Sequence, residues 1–320
     1  FKDQCCGSCR FFSTMPTFLF SRELLPMHLL KGIFASLSIG ITTVAVCLVL
    51  FPRWVQFLLS GSQKQPQIRR SMDQIIVWWT SSNRWMLNKL RLVNAEVHWQ
   101  GQEQLSPEKW YLVVSNHQTW ADILLLQTYL LDEIPPLKFF TKSQLIWLPF
   151  IGQAMYVLGF PYVKRVDREQ IKNNPELRNA DRDNVLNACE GFKNHPTSIL
   201  NFAEGTRYTD EKHQRQGRQF QHLLKPKIGG ITYILQAMDS HLDGLVDVTI
   251  VYPDGVPTFW DFLQGKCHRV IFDARYLSIK PLDAEGDDVR FKSKVARWIN
   301  EAWKEKDARI SHFLDAAVIE

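Results

Sequence analysis

Cysteine is scarce in this chain and badly placed for cross-linking. Only six of the 320 residues are Cys. Cys5, Cys6 and Cys9 crowd the start, while Cys47, Cys189 and Cys267 stand singly in apolar or mixed surroundings. That excludes a disulfide scaffold and points to a reducing compartment. Cys6 and Cys9 make one C-x-x-C with no second Cys or His pair at zinc-ribbon spacing, and no two of the nine histidines stand as H-x3-H. No acidic cluster has an ion-binding pattern either, so no metal is expected. No G-x-S-x-G occurs, which argues against a serine nucleophile elbow. Internal repeats and low-complexity linkers are missing too. Charge is neither lacking nor one-sided: 38 Lys+Arg against 33 Asp+Glu leave +5, a mild bias toward acidic partners such as phospholipid head groups or nucleic acid. With 45% apolar and 22% charged residues, the composition is ordinary for a globular protein.

One stretch lacks charge altogether. Gly32 to Phe51, GIFASLSIGITTVAVCLVLF, has the roughly 20 residues that a helix needs to cross a bilayer core. It ends in Pro52, Arg53 and Trp54, an interfacial anchor rather than the small residues of a cleavage site, so a retained transmembrane helix is expected over 32–54. Arg53, Lys64, Arg69 and Arg70 outnumber Arg22 and Lys31, which puts the rest of the chain in the cytoplasm. Met27 stands just before the apolar run, and residues 1–26 read as upstream sequence within a 1–31 leading segment. In IIVWWTSSNRWMLNKLRL, Ile75 to Leu92, three cations interrupt an apolar stretch that carries Trp78, Trp79 and Trp85. We expect an amphipathic helix over 67–93, either lying in the head-group layer or packed on the domain behind it.

Beyond Val93 the pattern alternates. Strand-like runs fall at 95–99, 110–115, 137–141, 160–164, 197–202, 246–252 and 269–276. Helical spacing recurs over 177–194 (Val185, Cys189, Phe192) and 287–306 (Phe291, Val295, Trp298, Ala302). Such alternation predicts a single α/β domain over 94–320 around a mostly buried sheet.

Three strand ends carry chemistry. In VVSNHQTWAD, Val113 to Asp122, His117 and Asp122 on one straight helix would sit about 140° apart and never meet. If the strand ends near Ser115 and a helix begins near Thr119, the turn folds the two side chains together at the carboxyl end of a strand, where open α/β folds place ligands. A carboxylate beside histidine fixes the tautomer and makes the other ring nitrogen a proton acceptor. The plain alternative is a capping histidine and a solvated aspartate. In NFAEGTRYT, Asn201 to Thr209, Glu204, Gly205, Thr206 and Arg207 supply a carboxylate, a permissive backbone position and a guanidinium able to grip phosphate. In GFPYVKR a strand delivers Lys164 and Arg165 to its end.

These stretches resemble the glycerolipid acyltransferase family typified by bacterial 1-acylglycerol-3-phosphate O-acyltransferase. N-H-Q-T-W-A-D is similar to its first block, G-F-P-Y-V-K-R to its second, and E-G-T-R is its third. V-T-I-V-Y-P, Val248 to Pro253, falls where a variable fourth block belongs. Phe220 to Lys227 and D-V-T-I-V-Y-P-D-G look like a membrane-bound branch that includes lysocardiolipin acyltransferase. Pro161, Tyr162 and Lys164 in the second block and Tyr252 in the fourth depart from the common pattern. The resemblance covers about Val97 to Tyr276 and implies a central mixed sheet flanked by helices, preceded here by the membrane and interfacial helices. It implies that His117, held by Asp122, takes the proton of a lysophospholipid hydroxyl as that oxygen attacks an acyl thioester. Arg165 and Arg207 would clamp the acceptor phosphate with Lys164 assisting, and Glu204, Gly205, Thr206 and Asn116 would orient substrate. The donor would be acyl-coenzyme A or acyl-acyl carrier protein, drawn in by Lys138, Lys142, Lys225 and Lys227, with no further cofactor. The lipid bilayer is an expected partner. Nucleic acid is not, because aromatics are not interleaved with Lys and Arg. Two other readings stay open: a thioesterase or lipid hydrolase using the same base, and a membrane-bound lipid binder without catalysis.

Overall fold

The computed structural model describes residues 21–61, 63–163, 177–279 and 288–319. Cys6 and Cys9 lie outside the described residues, as do Lys164, Arg165 and the side chain of Lys142. Eight strands follow in chain order: β1 (Val93–Gln100), β2 (Tyr111–Ser115), β3 (Leu137–Phe139), β4 (Thr141–Lys142), β5 (Tyr162–Val163), β6 (Ser198–Phe202), β7 (Gly244–Val251) and β8 (Cys267–Leu277). Every expected strand has its counterpart. Six of the eight form one sheet in the order β1-β8-β7-β2-β6-β3, while β4 and β5 pair alone. All neighbours are parallel except β7 and β8. The sheet is therefore mixed, and β2, β3, β6 and β7 all end at one edge.

The helices are α1 (Ser21–Leu59), α2 (Gln65–Leu90), α3 (Ala121–Leu130), α4 (Ile151–Val157), α5 (Leu177–Phe192), α6 (Asp210–Arg215), α7 (Ile228–Met238), α8 (Phe259–Leu263) and α9 (Asp288–Ile319). All five residues of β2 and all eight of β7 are buried, as strands covered on both faces must be. On one face Val113, Val246, Val248 and Ile250 meet Leu125 and Leu126 of α3, Met86 and Leu87 of α2 and Ala35 of α1. On the other, Leu112, Ile199 and Leu245 meet Ile231 and Ile234 of α7 and Phe291, Val295 and Trp303 of α9. α9 runs past the expected end at 306 because its apolar spacing continues through Ile310, Phe313 and Leu314, which also pack on this face.

The core does not stop at residue 94. Along α1, Gly32, Ala35, Thr43, Val46 and Leu50 form one buried stripe at helical spacing, while Phe34, Leu37, Ile41, Leu48 and Phe51 are exposed. Gly32 lies so close to α8 that an added Cβ would stand 2.9 Å from Gln264 Cγ and 3.0 Å from the Trp260 ring. A side chain there would force Gln264 or Trp260 to shift. From Met27 to Leu59 this helix is long and apolar enough to cross a membrane. α2 takes the packed arrangement expected for it. Ile68, Met72, Ile76, Thr80, Asn83, Met86 and Leu87 pack inward, while Trp78 and Trp85 are exposed.

Candidate active site

β2 ends at Ser115 and α3 begins at Ala121, so the turn between them carries Asn116 to Trp120. Asn116 prolongs the sheet with its side chain: its Nδ2 donates to Ile250 O and its Oδ1 accepts from Ile250 N, both at 2.9 Å. This amide takes the place of a ladder pair and frees the backbone of His117 to leave the sheet. Asp122 then reaches back over the first turn of α3. Its Oδ2 accepts from Gln118 N at 2.6 Å, Thr119 N at 3.0 Å and His117 Nδ1 at 2.8 Å, as the acidic residue of a capping box satisfies the first N–H groups of a helix. Because Asp122 is saturated with donors, the proton of a neutral His117 sits on Nδ1. Nε2 is left with its lone pair as acceptor. The imidazole also stacks on Phe202, with ring centroids 3.9 Å apart and planes at 15°.

The loop after β6 closes on the same turn. Tyr208 N donates to His117 O at 2.8 Å. Glu204, almost fully buried, accepts from His117 N at 3.2 Å and from Leu224 N at 3.0 Å. Burial pushes its carboxyl from an ordinary 4.5 up to about 8, against the pull of those two N–H groups. Between those values the folded chain holds a proton that the unfolded chain releases, so stability falls as pH rises through this window. Unfolding midpoints of the full chain measured from pH 5 to pH 8 should show this decline. Glu204→Gln should flatten it by up to roughly 3 kcal/mol.

Gly205 has φ +66°, a left-handed position, and a Cβ there would meet the side chain of Lys227 at 2.8 Å. The Thr206 hydroxyl accepts from Lys212 Nζ at 2.9 Å. Arg207 is exposed, with its guanidinium carbon 5.0 Å from the centre of the Trp120 ring, a cation–π contact that leaves the charge unneutralised. No carboxylate among the described residues pairs with it. One rim therefore gathers His117, Asp122, Phe202, Trp120 and Arg207. Asn116 and Glu204 stand behind it, with their polar atoms on backbone groups, so what they orient is His117 and β7. The expectation that Lys138 faces a donor phosphate is corrected by its burial: it pairs with Asp73 at 3.0 Å and lies 3.3 Å from His195. Lys225 and Lys227 are exposed.

Residues 96–253 match the family model described as Acyltransferase, a span that includes His117, Asp122, Glu204, Arg207 and Tyr252. That span is an acyltransferase domain. The chain is similar to 1-acyl-sn-glycerol-3-phosphate acyltransferase epsilon of Mus musculus, at 24% identity over 64% of this chain and 58% of that one. It is also similar to the probable 1-acyl-sn-glycerol-3-phosphate acyltransferase 5 of Arabidopsis thaliana, at 26% identity over 63% and 53%. The chain thus spans little more than half the length of these curated relatives. The crystal structure of the 1-acyl-sn-glycerophosphate acyltransferase PlsC from Thermotoga maritima shares the fold, with a TM-score of 0.53 at 16% identity, over 89% of this chain and 98% of that one.

Within this acyltransferase framework the structure adds residues that sequence reasoning did not assign. Tyr252, noticed only as a departure in the fourth block, is buried and donates its hydroxyl to Asp122 Oδ1 at 2.6 Å. Burial and the adjacent Asp122 charge raise its phenol well above 10, so it stays a neutral donor. His117, Asp122 and Tyr252 form one chain of hydrogen bonds. Tyr252→Phe should lower kcat about tenfold with little change in KM, the worth of a hydrogen bond to a charged group. An unchanged kcat would reduce Tyr252 to a packing residue. Phe202 and Trp120 carry no polar signal, and their parts depend on contacts that spacing does not report.

Proposed function

We propose that the chain is a membrane-seated O-acyltransferase that moves a fatty acyl group from a thioester to the free hydroxyl of a lysophospholipid, such as a 1-acylglycerol-3-phosphate. The observation that carries this reading is the imidazole held through Nδ1 by Asp122, with Nε2 free as acceptor and Arg207 on the same rim. His117 Nε2 takes the hydroxyl proton as the oxygen attacks the thioester carbonyl. The tetrahedral intermediate collapses with C–S cleavage, and the imidazolium returns the proton to the leaving thiolate, giving ester and free thiol. No covalent acyl-enzyme is required. In this reading Arg207, standing on Trp120, takes the acceptor phosphate, a role that the family resemblance also gives to Arg165 and Lys164, and the left-handed turn at Gly205 and Thr206 brings backbone close to substrate. The N–H groups of His117, Gln118 and Thr119 already bond Glu204 and Asp122, so an oxyanion takes its donors elsewhere. Acyl-coenzyme A or acyl-acyl carrier protein is the donor, with Lys225 and Lys227 among the cations that meet its acidic groups.

α1 is the membrane anchor in this reading, with the domain on the cytoplasmic side. Its buried stripe grips α8, which follows β7, and reaches the segment that follows β4. Its free apolar face is available to lipid. The site edge is thereby drawn to the surface where a lysolipid resides.

The test is acyl transfer by the detergent-purified full chain, with oleoyl- and palmitoyl-coenzyme A or acyl carrier protein donors. Lysophosphatidic acid, lysophosphatidylglycerol and monolysocardiolipin serve as acceptors, and thiol release and product mass are followed together. Diacyl product that depends on lysolipid supports the proposal. Thiol release without acceptor replaces it by a thioesterase, and binding without turnover by a lipid carrier.

A further inference from the structure

A second apolar element, outside the sequence motifs, lies beside α1. From Ser143 to Val163 no residue carries a charge. One side of this segment is core: Ala154, Met155, Leu158 and Phe160 pack on Val46 and Leu50 of α1 and Met72 and Ile76 of α2. The other half faces outward, with Trp147 83% exposed, Tyr156 55%, Phe150 54% and Leu148 45%. A cluster of large apolar side chains on a surface calls for an occupant.

The loop is built to hold them there. A Cβ on Gly152 would stand 2.4 Å from the carbonyl oxygens of both Leu145 and Ile146, so only glycine lets the loop fold back onto α4. Gln153 Nε2 donates to Ile146 O at 2.9 Å, and Tyr162 donates its hydroxyl to Gly152 O at 2.7 Å. Phe150 sits at φ +64° and ψ −55°, a strained conformation for an aromatic residue and one that persists only where surrounding structure imposes it. Its carbonyl accepts from Cys47 Sγ at 3.3 Å. Cys47 lies well inside the apolar run of α1.

We propose that Leu145 to Phe150 is a rigid wedge that enters the phospholipid bilayer beside α1, with Trp147, Leu148 and Phe150 as its inserted side chains. The occupant is lipid because the wedge is continuous, through Cys47, with the free apolar face of α1, and because the exposed stretch from Leu145 to Ile151 offers no charged group to a protein partner. Tryptophan and tyrosine suit the boundary between acyl chains and head groups. The wedge follows β4 on the side of the sheet where β2, β6 and β7 end. Exposed Trp120, Val256 and Trp260 lie after β2 and β7 on that same side. Two separate insertions fix the tilt of the domain as a single helix does not, and turn the site rim toward the leaflet.

The inference rests on the membrane seat proposed for α1, and the experiment separates the two. In a full chain freed of its native cysteines, a nitrobenzoxadiazole label is placed at Trp147→Cys, at Leu48→Cys on α1, or at Glu108→Cys as a watery control. Each protein is reconstituted in vesicles of phosphatidylethanolamine and phosphatidylglycerol that contain doxyl-labelled lipid. The label at 147 should shift to the blue and be quenched as strongly as the label at 48, while that at 108 does neither. Quenching at 48 but not at 147 overturns the wedge and leaves the anchor standing; quenching at neither overturns both. A blue shift at 147 without lipid quenching means that protein covers the loop, and also overturns the proposal. For the unmodified chain, a diazirine-tailed phospholipid should add to the tryptic peptide Ser143 to Lys164. Adducts confined to α1 would contradict it independently of whether any variant folds.

Discussion

Replacing His117 with alanine is expected to reduce lysolipid-dependent acyl transfer about 10²- to 10⁴-fold, with KM for both substrates little changed. The imidazole is the one group on the rim whose geometry fits it to accept a proton. Its Nδ1 is occupied by Asp122 at 2.8 Å, its ring is held flat on Phe202 at 3.9 Å, and its backbone N–H and C=O are tied to Glu204 and Tyr208. The turn is thus braced from the main chain, and loss of the side chain should leave the fold intact. Circular dichroism and the unfolding midpoint of His117→Ala should match the parent. Thiol release and diacyl product are the quantities to follow, and a variant that keeps more than a tenth of parental turnover would remove the base from the mechanism. Some residual rate is expected, because Arg207 and the surrounding backbone would still gather the substrates.

Lys306→Met should be among the most destabilising single changes in the chain, at about 3 kcal/mol, the low end for stripping one partner from a buried ion pair. Lys306 is fully buried on α9. Its Nζ bonds Val248 O, lies 3.2 Å from the Thr249 hydroxyl and pairs with Asp247 at 2.7 Å. Burial alone would raise Asp247; Lys306, Arg275 and Arg309 together bring its carboxyl below the usual range. Glu305 and Asp273 complete the network against Arg275 and Arg309. Removing one cation leaves Asp247 still bonded by Arg275 at 2.9 Å, which is why the low end applies. Methionine fills the space, so denaturant unfolding reads the charge rather than a cavity. The double variant Lys306→Met/Asp247→Leu restores the charge balance and should cost less than the sum of its parts. Additive losses would show that the two groups do not act as a pair. Val248 and Thr249 lie just before Ile250, which holds Asn116, and Tyr252, which holds Asp122. α9 therefore steadies the far wall of the turn that carries His117 and Asp122.

What the sequence revealed followed from periodicity and order. Apolar runs bounded by turn residues located every strand except β4, which reads as the end of the run that holds β3, and a strand, a turn and a helix start sufficed to bring His117 and Asp122 together. Contacts of polar groups far apart in the chain left no such trace. Lys138 reads as a cation facing the donor because lysine is usually exposed, and only the fold shows Asp73 opposite it, as it shows Asp247 opposite Lys306. Asn116 and Glu204 read as substrate ligands because their bonds to backbone N–H and C=O groups are invisible in side-chain spacing. The packed stripe of α1 was hidden for another reason. In a helix apolar on every side, hydrophobic periodicity cannot distinguish the face that meets protein from the face left exposed.

That stripe makes α1 a wall of the enzyme. Ala35 belongs to the same cluster as Val113 and Val246, so cutting the chain near Gly61 and washing the helix away would open the core that supports the turn carrying His117. A water-soluble version will not come from truncation. It would have to keep α1 and replace, residue by residue, the side that never touches the sheet.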